Sequence, residues 1–556
     1  MLSKFLPREH FDSYEDFKTN YQVKVPANFN FAYDVVDAWA ECNPAKQALV
    51  WCNDRDEEIF FSFQDLKRLS DQAANFFRSL GIGKGDVVMM ILKRRWEYWI
   101  CTLALEKVGA ISIPATAQLT KKDIVYRNNA ASVKMVISVA DPEVLDNIEA
   151  ALPECPTVMQ KAVVHGKRAG WIDFNHELEQ ASMIWSRPLG SELTGGSDPM
   201  LMYFTSGTTG MPKIVLHDFN YPIGHIVTAH YWQRLDEDGL HLTVSESGWA
   251  KCAWGKIYGQ WICGVSLFVY DMDKFIPDLL MQKIAKYRIS SFCAPPTIYR
   301  FFIKEDLSKY DFSSVKVACT AGEPLNPEVY HQFKKATGLD IIEGFGQTET
   351  TVLCANFEWI KPKPGSMGKP SPLYDLDIID ENGRSCPAGV EGNIVIKNAN
   401  QNLPGLFDNY YRDEVATRRV WNNGVYNTGD VAWRDEDGYF WFVGRSDDVI
   451  KCSGYRIGPF EVESALLEHP SVLECAVTAA PDSIRGQVVK ATVVLAKGWD
   501  SSEQLTKDLQ NHVKHVTAPY KYPRIVEYVN ELPKTISGKI RRVAIRQNDH
   551  QNRDER

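Results

Sequence analysis

The chain has 556 residues, 44% of them hydrophobic and 24% charged, a globular composition that excludes a wholly disordered or collagen-like protein. At roughly 100–200 residues per domain, that length implies about three to five folding units. The 62 Lys+Arg against 71 Asp+Glu leave a formal net charge of −9, which excludes a broad electrostatic nucleic-acid surface but not a local nest or lysine that holds a phosphate.

The N-terminal run MLSKFLPREHFDSYEDF has no apolar core and mixes acids with bases, so neither a signal nor a transit peptide is expected. The 12 cysteines are scattered without a C-x-x-C pair. They read as buried packing residues in a reducing compartment, taken as the cytoplasm, and not as disulfides or zinc ligands. The most apolar stretch, Tyr98 to Ala115, is broken by Glu106 and Lys107 and falls short of the ~20 apolar residues a spanning helix needs. No integral membrane segment is expected.

Phe63–Leu80 has helical spacing, Val87–Leu92 reads as a buried parallel strand, and Trp96–Val108 as a helix. Ala110–Ala115 and Met135–Val139 read as further strands, so the alternation points to α/β architecture. The glycines of Gly81–Gly85 resemble a dinucleotide fingerprint but lie between a helix and a strand, the wrong order for one, and read as a turn. Strand-like runs follow at Met200–Phe204, Val265–Tyr270, Ser291–Ala294, Val315–Ala318 and Asp340–Glu343. From Leu376 short strands with Gly, Asn and Asp turns (Glu391–Lys397, Gly424–Tyr426, Tyr439–Val443) form a small β-rich lobe. After Arg445–Asp448 come a strand pair, a helix at Phe460–His469, strands at Leu473–Thr478 and Val488–Leu495, and a helix at Ser502–His515. That is enough for one small α+β domain of about 110 residues.

The segment from Tyr203 to Lys213, YFTSGTTGMPK, carries most information. Glycines let backbone N–H groups converge and the hydroxyls of Thr205, Ser206, Thr208 and Thr209 add donors, so the loop with Gly207 and Lys213 can cradle a polyphosphate. It is not a Walker A loop, because Pro212 stands where the second glycine would be and Ile214 follows the lysine.

This loop resembles the phosphate loop of the adenylate-forming superfamily of acyl-CoA synthetases, luciferases and peptide-synthetase adenylation domains. Further motifs follow in the family's order: Ala321-Gly322-Glu323-Pro324, then Glu343-Gly344-Phe345-Gly346-Gln347-Thr348-Glu349-Thr350, then Thr428-Gly429-Asp430. Gly444-Arg445-Ser446-Asp447-Asp448, Lys451 to Ile457 and Pro533 to Ile540 complete the set. The resemblance implies a large domain over residues 1–446, built of two α/β/α subdomains and the β-rich lobe. A mobile α+β domain follows over 447–556, hinged at Asp447.

It also implies ATP, Mg²⁺ and CoA as the small molecules used with a carboxylic acid, and is compatible with a homodimer. Lys539 would stabilise adenylate formation, Thr348 contact the α-phosphate, and Glu349 hold Mg²⁺. Gly322, Glu323 and Pro324 would bind the adenine, and Glu343, Gly344 and Phe345 would belong to the same cofactor-binding set. Asp430 and Arg445 would bind the ribose, and Gly454 and Arg456 serve in thioester formation. Attack of a carboxylate on a phosphate joins two anions, so cation and donor density is what the chemistry requires.

Gly248–Gly259 resembles the acyl-pocket helix, with Trp249, Ala250, Lys251 and Trp254 as lining residues. It lacks the Asp that amino-acid-activating relatives carry. Ala321 is small, and Gly346 stands where acetate-specific relatives have a Trp, so the pocket is expected to be open beyond two carbons. Lys251 and Lys256 read as pointing to solvent or a helix surface, and one turned inward would shorten the pocket or favour a polar or branched acid. The sequence is most similar to medium-chain acyl-CoA synthetases, with an aryl-CoA ligase or a non-catalytic acyl or nucleotide binder as alternatives.

Overall fold

The structure is a computed structural model that describes residues 1–205, 211–399, 403–452, 455–482, 485–534 and 540–554, the last five of these by backbone alone. Among the described residues four sheets organise the chain. The first large sheet runs in the order Asn409–Tyr410, Lys213–Asp218, Pro199–Thr205, Ile111–Pro114, Val87–Ile91, Met135–Val139, Gln160–Val164, Ile172–Asp173. From Pro199–Thr205 onward its strands are parallel, and its other edge is antiparallel.

The second has nine strands, with Ile341–Gly346, Val317–Ala321, Ser291–Ala294, Leu240–Thr243, Ser266–Asp271 and Gln47–Asn53 parallel in its centre. The central strands of both sheets are buried nearly throughout, as continuous Val/Ile/Leu-rich runs covered on both faces should be. Crossover helices are cut by their own sequence signals. Phe63–Ser79 starts on a Ser62/Asp65 capping box and Glu97–Val108 stops at left-handed Gly109. The run Gly81–Gly85 is a helix-to-strand turn, as its order implied, with Gly81 and Gly85 at positive φ.

The small lobe is antiparallel: Asp375–Ile379, Gly392–Lys397, Val425–Arg434 and Trp421–Asn422, with Phe440–Arg445 also paired to Val425–Arg434. The turn Ser446–Asp448 leads from it into a fourth sheet of Tyr455–Ile457, Ile450–Cys452, Gly486–Leu495, Val472–Asp482 and Ile525–Tyr528. That sheet packs its own core with helices Pro459–Leu467 and Glu503–Val516. The mixed α/β class and the large-then-small domain order match the sequence reading. All 12 cysteines are free, 11 of them buried, and no helix among the described residues is long and apolar enough to cross a membrane.

Candidate active site

Two parallel strands of the nine-stranded sheet, Val317–Ala321 and Ile341–Gly346, end side by side and release the two loops that carry the motifs. Crevices at the carboxyl ends of such strands are where open α/β sheets bind ligands. After Ala321, Gly322 takes φ +103°, a conformation that a side chain would strain. This turn swings Glu323 towards Arg300, 3.7 Å away, and Thr297, whose hydroxyl donates over 3.4 Å. Pro324 follows, half-buried. Glu343 is buried with its amide donating to Asn356 (2.9 Å), and burial holds its carboxyl well above the usual range.

The segment 347–349 sits in a satisfied polar network. Gln347 donates through Nε2 to the Asp430 carboxylate (2.5 Å) and the Thr428 carbonyl (2.8 Å), and its Oε1 accepts from the Tyr426 hydroxyl (2.8 Å). Arg445 lies opposite Asp430 on the paired strand and donates to it over 3.2 Å and to the Thr428 carbonyl over 3.0 Å. Burial alone would weaken the Arg445 charge, but Asp430 and Asp447 offset it and raise its pKa. Thr428-Gly429-Asp430 is no hairpin turn: it lies inside a ten-residue strand, where Gly429 at φ +71° lets the Arg445 guanidinium approach within 2.9 Å of where a Cβ would sit.

Glu349 accepts from the Tyr410 hydroxyl at 2.8 Å. Burial raises its pKa, against the opposing pull of Tyr410 and Arg445. Lys213 lies over the Tyr410 ring, 4.6 Å from its centre. Thr205 and Lys213 pair across the hairpin whose tip is the phosphate-loop motif. The tip itself, with Ser206, Gly207, Thr208 and Thr209, falls outside the described residues, as do Gly454 and Lys539. The base of the Lys539 loop is described: Lys534 bridges Ile540, and the Arg541 amide donates to the Pro533 carbonyl (2.8 Å).

The acyl side is built from glycines and indoles. Gly344 and Gly346 share one face of their strand. A Cβ on Gly344 would meet the Trp232 indole at 2.5 Å, and one on Gly346 would meet Trp254 at 2.3 Å. The two indoles cross edge to face, 6.4 Å apart. Phe345 points the other way, 6.2 Å from Phe442. Trp254, only 7% exposed, packs directly on Gly346, so the place beside residue 346 is lined by that indole and no side chain at 346 fits against it. The segment Gly248–Gly259 forms two short helices, Ala250–Gly255 and the start of Tyr258–Ile262. Trp249 is the residue before the first and, like Ala250, is half-buried.

The lysines do not face solvent as expected. Lys256 is buried and donates to the Ser245 carbonyl (2.9 Å), with its pKa lowered by burial to about 8. Lys251 donates to the Ala321 carbonyl (2.7 Å) and so ties the acyl helix to the Gly322 turn. A helical period cannot show which carbonyl a lysine will reach.

On the small domain, the ion-pair partner of Arg456 is Glu381 in a turn of the β-rich lobe, 3.6 Å away. Asp447 is exposed in the turn between the lobe and the fourth sheet, while its neighbour Asp448 is buried and bonded to Arg546 (2.5 Å). Sequence reading left Gln347 without a role and passed over Tyr410. The signal for Gln347 was its place between Gly346 and Thr348-Glu349. For Tyr410 there was none, because its partner is 61 residues away.

Residues 36–411 match the AMP-binding enzyme family, and residues 461–539 match the AMP-binding enzyme C-terminal domain. The mitochondrial acyl-coenzyme A synthetase ACSM3 of Mus musculus is 42% identical over 97% of this chain and 94% of its own length. The mitochondrial acyl-coenzyme A synthetase ACSM4 of Homo sapiens is 44% identical over 95% and 92%. Among solved structures, the anthranilate CoA ligase AuaEII in complex with anthranoyl-AMP superposes with a TM-score of 0.87 at 28% identity, covering 95% of this chain and 99% of that one. An acyl-CoA synthetase from Brucella canis gives 0.73 at 30%, covering 98% and 100%.

The chain belongs to the family of AMP-binding, adenylate-forming enzymes. Within it the reading as an AMP-forming acyl-CoA synthetase, an acid–thiol ligase that uses ATP and CoA, stands. The cytoplasmic placement does not: the similar relatives carry a mitochondrial designation. Free buried thiols fit any compartment that keeps thiols reduced, so they could not separate the two.

Proposed function

We propose that this site activates a carboxylic acid longer than acetate, a short- to medium-chain or branched fatty acid, and transfers it to CoA within mitochondria. The observation that carries the nucleotide chemistry is the convergence of Gln347, Asp430, Arg445, Glu349, Tyr410 and Lys213 on the loop after Gly346, and the acid class is supported by the likeness to the acyl-coenzyme A synthetases ACSM3 and ACSM4.

In the first half-reaction the acid's carboxylate attacks the α-phosphate of ATP and pyrophosphate leaves. Asp430 accepts the ribose hydroxyls, oriented by Gln347 and Arg445. The loop Thr205–Lys213 surrounds the phosphates, the turn Gly322–Pro324 flanks the adenine, and the strand end Glu343–Phe345 borders the nucleotide. Thr348 donates to the α-phosphate, and Lys539 adds charge where the two anions meet. The site also fits Mg²⁺. A buried carboxylate whose charge burial disfavours gains most from a cation, and one or two carboxylates beside nucleotide phosphates are the usual protein share of such a site. Glu349, steadied by Tyr410, would hold it, and the ion would supply charge neutralisation at the phosphates. In the second half-reaction rotation at Asp447 withdraws Lys539 and brings in Gly454 and Arg456, and the CoA thiol attacks the acyl-adenylate to release AMP.

AMP release measured over acetate, butyrate, hexanoate, 2-methylbutyrate and benzoate tests the reading. Preference for acetate over butyrate and hexanoate overturns the acid class. A second reading, an aryl acid, is favoured by the likeness to the anthranilate ligase and by a wall of indoles against which a ring can pack. Benzoate outpacing hexanoate selects it. Lys539→Ala should abolish adenylate formation and spare thioester synthesis from supplied acyl-AMP. Equal loss of both removes the role given to Lys539.

A further inference from the structure

The strand Lys213–Asp218 carries Lys213, Val215 and His217 on one face. Its upper end reaches Glu349 through Tyr410, which lies under Lys213 and pairs with Val215 across the strand edge. Its lower end reaches the neighbouring residue directly: the His217 Nε2 lies 2.7 Å from the Thr348 carbonyl oxygen. A carbonyl only accepts, so Nε2 carries the proton and donates. The next carbonyl, of Glu349, accepts from the Phe407 amide at 2.8 Å. Both carbonyls of the Thr348-Glu349 pair are thus pinned, one by a backbone amide and one by a side chain.

His217 is fully buried, and burial lowers its pKa to about 4, so the ring is neutral. Its orientation is fixed by stacking. The Tyr221 ring lies 3.9 Å away, His225 packs edge-on against Tyr221 at 4.7 Å, and Trp254 lies 6.0 Å beyond His225. Trp254 in turn rests on Gly346. The aromatic chain therefore leaves the catalytic loop at Gly346 and returns to it at Thr348.

We infer that His217 is a positioning residue for adenylate formation: its Nε2–H holds the Thr348 carbonyl, and through it the Thr348 hydroxyl and Glu349 carboxylate, in register with the phosphate-loop hairpin. The inference rests on the placement of Thr348 and Glu349 in the nucleotide site. His217 reaches across from the hairpin to the loop with a side chain, where the strand's own pairing uses backbone groups.

The test uses three variants of the full chain. His217→Phe keeps ring and stack but removes the donor. His217→Gln replaces Nε2–H with an amide N–H of similar reach. Thr348→Val tests the premise. Pyrophosphate–ATP exchange should fall about tenfold in kcat for His217→Phe, the size of one lost hydrogen bond of about 1.4 kcal/mol. The KM for the acid should stay unchanged and His217→Gln should recover most of the rate. Thioester formation from supplied acyl-AMP and the thermal midpoint report folding, and both should stay within experimental scatter of the parent. Exchange retained in His217→Phe, or a loss that Gln does not restore while folding is intact, overturns the inference. If His217→Phe fails to fold, the Gln variant against His217→Asn, whose shorter amide cannot reach the carbonyl, decides in its place: equal exchange in the two overturns it. Full exchange in Thr348→Val instead removes the premise, and with it the reading of the nucleotide site.

Discussion

The two halves of the site are held by different physics. On the nucleotide side, Asp430, Arg445, Gln347 and Tyr426 satisfy one another through hydrogen bonds of 2.5–3.2 Å. On the acyl side, Trp232 and Trp254 lock onto Gly344 and Gly346 by shape, with no room for a Cβ. A polar network fixes a ligand whose functional groups never vary, because a lost partner leaves a buried charge unpaired. Apolar packing grades ligands by volume, at about 1–3 kcal/mol per methylene. An enzyme that takes one nucleotide and a range of acids benefits from that division.

The sharpest way to break the contrast is at Asp430. Asp430→Ala leaves Arg445 and Gln347 facing an empty place. Arg445 is 42% exposed and can rehydrate, so the loss is that of the ribose acceptor and its hydrogen bonds, about 1.5–3 kcal/mol, and kcat/KM for ATP should fall at least ~10-fold. Selectivity among acids, measured at saturating ATP, should not change. A changed acid preference would mean that the two halves are not separable.

Gly346→Trp addresses the other half. On sequence grounds it should narrow the pocket to acetate. With Trp254 already 2.3 Å from where a Cβ on Gly346 would sit, the new indole has nowhere to go, and activity should be lost for every acid together with a lowered thermal midpoint. Pairing it with Trp254→Gly should restore folding and give the acetate preference. A single Gly346→Trp variant that folds and prefers acetate would show that Trp254 yields. Trp254→Ala alone should shift preference by about tenfold towards longer or bulkier acids. Lys251→Met sits at the junction, where the acyl helix holds the Ala321 carbonyl. One such hydrogen bond is worth about 1 kcal/mol, so KM for ATP and acid should each rise by a few-fold, roughly fivefold at most.

The order of motifs made the nucleotide half legible in the sequence, since Asp430, Arg445 and Glu349 each sit in a short fixed string. The strands were legible too: Met135–Val139 and Ser291–Ala294 have the expected ends, because buried parallel strands are continuous apolar runs bounded by polar turns. The acyl half was not. That Trp254 fills the place of a side chain at 346 depends on a contact between distant parts of the chain, and a glycine in a string does not say what rests on it. His217 and Tyr410 were missed for the same reason. Their partners lie 131 and 61 residues away, and hydrophobic periodicity carries no record of such pairs.

The smallest expected effect probes a buried polar group that neither half uses. Glu106 sits in the helix Glu97–Val108, 2% exposed, and burial raises its pKa to about 8 against the opposing influence of Tyr258, the Ala32 amide and Lys107. Its folded-state pKa exceeds the unfolded value of about 4.3, so the folded chain binds the extra proton between those values. Stability therefore falls as pH rises from about 4.3 towards about 8 and levels off above it. Glu106→Gln keeps the shape and removes the titration. Its thermal midpoint should match the parent near pH 5 and exceed it at pH 8 by a small margin, roughly 2 °C, with acid selectivity and ATP KM unchanged. A midpoint difference that does not grow with pH would show that Glu106 stays ionised in the fold. The region behind the acyl wall would then resemble the nucleotide half more than the packing it supports.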